Sequence, residues 1–139
     1  MAARSEQIGE KVVSYSVPVR KLDDYAREQQ LGRIDFLKID AEGFDLHVLE
    51  GASRLLEEQA IDVFMFEYAD GWISSRRFLQ EASAYLSSKP YTLYRLYNGF
   101  LVPFTYETRH ENFSQGCMFV GVSKKHYARA LITVKNVPF

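Results

Sequence analysis

The sequence predicts an α/β fold in which parallel strands alternate with covering helices and the sheet ends in an antiparallel hairpin. Three features carry this. Ile34 to Ile39 is a short run with apolar residues on both faces, bounded by turn residues, as in a strand buried inside a parallel sheet. Helical stripes follow it and follow a second apolar run, Val63 to Phe66, giving a β-α-β-α order. A parallel pair needs a crossover that covers the sheet, so this order implies flanking helices. After Pro90 the stripes give way to closely spaced strand segments.

Taken in order, Met1 to Glu10 is a polar leader and Val12 to Val19 reads as extended. Leu22, Tyr25 and Ala26 fall at helical spacing beside the acidic first-turn pair Asp23 and Asp24, and Gly32 is the expected helix stop. Behind the Ile34 strand, Phe44, Val48, Leu49, Ala52, Leu55 and Leu56 recur with a period near 3.6, predicting one helix with a single apolar stripe. Phe78, Leu79, Ala82, Tyr85 and Leu86 form another stripe, with Ser74 and Ser75 as candidate caps. Strands are then predicted at Tyr91 to Tyr97, Phe100 to Tyr106 and Cys117 to Val122, with Asn98-Gly99 as a hairpin turn.

A chain of 139 residues supports one core, so residues 1–139 are expected to form a single domain. Hydrophobic residues at 47% and charged residues at 25% suit a globular protein. The 17 basic and 18 acidic residues are interspersed, which argues against nucleic acid as a partner. No apolar run is long enough for a membrane span and the leader is not signal-like, so a soluble, cytoplasmic protein is expected. Cys117 is the only cysteine, and its apolar surroundings predict an inert thiol. His47, His110 and His126 are too scattered to predict a metal site.

Candidate chemistry concentrates in Lys38-Ile39-Asp40-Ala41-Glu42-Gly43, where the first parallel strand runs into a helix. In open parallel sheets ligands bind in the crevice beyond the carboxyl ends of the strands. Alternation puts Lys38 and Asp40 on one face, Glu42 follows in the turn, and Glu67 ends the next strand on the same edge. Three carboxylates on one rim suit a general base, hydrogen-bond acceptors for a polyol, or oxygen ligands for a divalent cation. The plainer alternative is that Asp40 caps the helix, Gly43 eases the turn, and Lys38 pairs with Glu42 in solvent.

The segment Asp35-Phe-Leu-Lys-Ile-Asp-Ala-Glu-Gly-Phe-Asp-Leu-His-Val-Leu-Glu-Gly-Ala52 resembles the signature of FkbM-type methyltransferases. The resemblance takes in Leu22-Asp23-Asp24-Tyr25 upstream and Phe66-Glu67-Tyr68 downstream, and spans roughly Val17 to Val122. It implies a Rossmann-like class I methyltransferase sheet and transfer of a methyl group from S-adenosylmethionine to a small-molecule hydroxyl acceptor, on a sugar, glycolipid or secondary metabolite. It further implies catalytic roles for Asp40, Glu42 and Glu67 and substrate binding by Lys38 and Tyr68. An O-methylation needs the attacking oxygen deprotonated and held in line with the methyl group, and carboxylates suit both tasks.

The family's first β-α-β portion, with its glycine-rich turn, has no counterpart: Gly9 is the only glycine before Gly32. The chain is therefore expected to correspond to the C-terminal half of the catalytic domain, with S-adenosylmethionine binding dependent on a portion it lacks. The sheet edge left unpaired invites homo-oligomers. Two other readings stay open: a non-catalytic half-domain acting as an interaction module, and a carbohydrate-binding module using the carboxylate rim with Tyr68, Tyr94 and Tyr97.

Overall fold

The computed structural model describes residues 14–98 and 100–127. Of the Val12 to Val19 segment, Val12 and Val13 lie outside the described residues, and Ser14 to Val19 is exposed chain without strand pairing. Helix α1, Leu22–Glu28, follows. Its stop is Gln30, not Gly32: Gln30 takes a φ of 54°, and the N–H groups of Gln30 and Leu31 return to the carbonyls of Arg27 and Ala26. A left-handed residue closing two such bonds is the usual end of a helix, here without glycine.

Strand β1, Ile34–Lys38, leads into two short helices, α2 (Asp45–Glu50) and α3 (Ser53–Glu57), in place of the single helix that the periodicity predicts. The break falls at Gly51-Ala52, yet Leu46, Leu49, Leu55 and Leu56 are all buried, so the stripe survives the interruption. The freed N–H groups of Arg54 and Leu55 are taken by the Asp23 carboxylate at 2.9 and 3.1 Å. Asp23, expected to serve the first turn of its own helix, thus caps another one.

Strand β2, Ile61–Tyr68, is buried almost throughout. Helix α4, Gly71–Ser75, follows, so Ser74 and Ser75 lie in its last turn and do not cap the next helix. That helix, α5 (Leu79–Ser87), is capped by carboxylates: Glu81 accepts the Phe78 N–H, and Glu111 accepts those of Leu79 and Gln80. Its buried Leu79 and Leu86 contribute about 1.5–3 kcal/mol each through removal from water.

Strands β3 (Tyr91–Tyr97) and β4 (Phe100–Pro103) form the expected hairpin, with Tyr97 opposite Phe100. Asn98 has the positive φ of 40° that such a tight turn requires, and Gly99 lies outside the described residues. β4 stops short of the expected Tyr106, and a turn of 3-10 helix at Thr108–His110 follows. Strand β5, Cys117–Ser123, enters the sheet between β2 and β3, giving the order β1-β2-β5-β3-β4. β1 and β2 are parallel, and β5 is antiparallel to both of its neighbours.

Alternation along β2 divides the core. Phe64, Phe66 and Tyr68 join Trp72, Phe119 and the buried residues of the helices in the larger cluster. Val63 and Met65 point the other way, against Val120 and Val122. Gly121 stands opposite Phe64 because the Phe64 ring fills the space a side chain at 121 would need. No described helix is long and apolar enough to cross a membrane.

Candidate functional site

The carboxyl ends of β1 and β2 lie side by side, so the chain leaving each strand turns on the same rim. The two loops meet backbone to backbone at Gly43 and Gly71. Gly43 has a φ of 94°, and a methyl group there would fall 2.1 Å from the Gly71 carbonyl oxygen. Only glycine fits both the left-handed backbone and so close an approach.

Around this contact lies a crevice of about 220 Å³ lined by Asp40, Glu42, Asp45, Glu67, Asp70 and Trp72, with Gly43, Ala69 and Gly71 in its wall. Asp40, Glu42 and Glu67, singled out from sequence, are thus brought together. Asp45 and Asp70 join them, and sequence reasoning missed both. Neither was singled out from the sequence, although Asp45 opens the helix that follows β1 and Asp70 lies just beyond the end of β2. Lys38 stands beside the rim with its ammonium 2.5 Å from an Asp40 carboxylate oxygen. Its partner is Asp40 and not Glu42, and Asp40 caps no helix: α2 begins after Phe44 without a side-chain cap.

Asp45 is 1% exposed. Its Oδ2 accepts the Gly43 N–H at 3.2 Å, while its Oδ1 is buried without a hydrogen-bond partner among the described residues. Burial pushes the Asp45 carboxyl above the ordinary carboxylate range, and nearby backbone N–H groups partly offset this. Glu67 is also pushed upward, first by burial, then by the charges of Asp40, Asp45 and Glu42, with Lys38 opposing. Lys38 is raised mainly by its hydrogen bond to Asp40. These mutual effects describe a site with a surplus of negative charge. Trp72 braces it from beneath, its indole N–H donating to the Glu67 carbonyl at 2.7 Å.

Tyr68, expected to bind substrate, does not reach the crevice. Strand alternation turns it away from Glu67 into the core, where it is fully buried and its hydroxyl donates to Glu111. Tyr94 and Tyr97 do not line the crevice either. On the far side of the β1-α2 loop lies a wider apolar cleft of about 750 Å³, walled by Val19, Leu22, Tyr25, Leu37 and Val48. It opens beside β1, which stands at one end of the sheet. Among the described residues no group of three or more His, Cys, Asp or Glu is arranged to hold a metal ion.

No curated protein and no solved structure matches the chain. The family model described as the methyltransferase FkbM domain matches residues 1–93. That match begins ahead of the Val17 to Val122 stretch in which the resemblance was read and ends within β3, leaving β4 and β5 beyond it. It takes in both parallel strands, the loops that follow them and every carboxylate of the crevice, and the chain belongs to the FkbM methyltransferase domain family.

Proposed function

We propose that the crevice is the acceptor side of an O-methyltransferase site, binding a small molecule through a hydroxyl group on a sugar, glycolipid or secondary metabolite. The observation that carries this reading is the convergence of Asp40, Glu42 and Glu67 at the carboxyl ends of two parallel strands. The sheet supports its class I form, since parallel strands give way to an antiparallel β5 and a terminal hairpin.

The family implies S-adenosylmethionine as the methyl donor. Gly43 and Gly71, the glycines that follow the two parallel strands, are closed off by each other's loop, Gly43 by the Gly71 carbonyl and Gly71 by the backbone of Glu42 and Gly43, so neither offers bare backbone to a cofactor. The role of this chain's own residues lies with the acceptor. Glu67, with a carboxyl raised above its ordinary range, is the better placed to take the hydroxyl proton. Asp40, held by Lys38, orients the oxygen as a hydrogen-bond acceptor, and Glu42 completes the rim. Positioning of this kind contributes as much to such a reaction as base strength does.

The test is methyl transfer from labelled S-adenosylmethionine to a panel of hydroxyl acceptors. Transfer that falls about a hundredfold or more in Glu67→Gln and in Asp40→Ala is the expected result, as for loss of a positioned acid-base group. Unchanged turnover in both variants overturns the residue assignment. Absence of transfer by the folded wild-type chain overturns the enzyme reading and favours a non-catalytic module.

A further inference from the structure

Five carboxylates line the crevice, those of Asp40, Glu42, Asp45, Glu67 and Asp70, and the ammonium of Lys38 beside them is engaged with Asp40. Ionised carboxylates only accept hydrogen bonds, so a ligand entering here must bring donors. The buried Oδ1 of Asp45 makes the demand specific. It has given up water and found no donor among the described residues, an unmet demand that a ligand bearing a donor would relieve.

Building on the acceptor reading above, we propose that the crevice recognises a protonated amine carried near the reacting hydroxyl, as in an amino sugar or an amino alcohol. A neutral polyol would satisfy the acceptors but leave the surplus charge uncompensated; an ammonium does both through charge-assisted hydrogen bonds. A compact divalent ion is a poorer match. It needs six or so oxygens converging at about 2–2.6 Å, and no described cluster is arranged to hold one, whereas an ammonium directs three N–H groups to acceptors set apart from each other. At about 220 Å³ the crevice is smaller than most small-molecule sites, which suits one ring or a short chain bearing the amine. An acceptor with a phosphate or carboxylate at that place would be repelled.

Calorimetric titration of the whole chain with glucosamine and with glucose, near neutral pH and at low salt, reads this preference without any methyl transfer. Glucosamine should bind at least about tenfold tighter than glucose, a difference of roughly 1.4 kcal/mol. The preference should shrink severalfold in Glu67→Gln and in Asp45→Asn. Because Asp45 is buried, the exposed Glu42→Gln variant provides a readout that does not depend on refolding around a core change. Equal affinities, absence of glucosamine binding, binding confined to S-adenosylmethionine, tighter binding of magnesium ion alone, or a preference intact in all three variants would each overturn the proposal. A failed methyl-transfer assay alongside an intact amine preference overturns only the enzyme reading, and the reverse pattern overturns only the amine.

Discussion

Glu111 holds together three elements far apart in sequence, and removing it should be among the most destabilising exposed-side substitutions in the protein. Its carboxylate accepts the N–H groups of Leu79 and Gln80 at 3.2 and 2.9 Å and the hydroxyl of Tyr68. Loss of a helix cap costs about 1 kcal/mol, and a buried hydroxyl left without a partner costs about 1–3 kcal/mol. Tyr68 is fully buried, so the second cost applies with little relief from water. Glu111→Ala should therefore lose about 2–4 kcal/mol, a large share of the roughly 5–15 kcal/mol that holds a typical domain folded. Glu111→Gln keeps an acceptor without the charge and should lose about half as much. Urea denaturation of the two variants, of Tyr68→Phe and of Glu111→Ala with Tyr68→Phe measures the coupling directly. If the clasp is as described, Tyr68→Phe becomes nearly neutral once Glu111 is gone. A loss under about 0.5 kcal/mol in Glu111→Ala, or additive effects in the double variant, would refute the reasoning.

Gly43→Ala places a methyl group more than an ångström inside the Gly71 carbonyl contact and asks an L side chain to hold a φ of 94°. Thermal denaturation should show a loss of about 2–5 kcal/mol, and the crevice should lose its ligand preference even where the variant folds. Asp23→Ala removes the cap from α3 and should cost about 1 kcal/mol, visible as earlier amide exchange at Arg54 and Leu55. The Glu67 and Asp45 carboxyls are both raised, chiefly by burial, so the folded protein holds their protons more tightly than the unfolded chain does. Their effect on stability is most favourable below the unfolded carboxylate range and declines as pH rises through the folded values. The wild-type protein should accordingly lose more stability than Glu67→Gln between acidic and neutral pH in urea titrations; parallel curves would show that Glu67 carries no such penalty.

The sequence by itself determined the elements and the rim. Periodicity located β1, β2 and the stripes of α2, α3 and α5, and the rule that parallel strands end on one edge joined Asp40, Glu42 and Glu67 before any coordinate did. These are local patterns, written in residues a few positions apart, and the alternation that separates Tyr68 from Glu67 was equally legible. Tertiary structure decided the rest. Whether Gly51-Ala52 breaks a helix depends on Asp23, some thirty residues away, being there to receive the exposed N–H groups. The caps of α5 come from Glu111 as well as from its own first turn. Asp45 and Asp70 became part of the site only when the Gly43 and Gly71 loops closed on each other, and β5 found its place between β2 and β3 only through pairing with both. Each of these depends on which surfaces meet, and a contact between distant segments is settled by the packing of the whole core rather than by the preference of either segment.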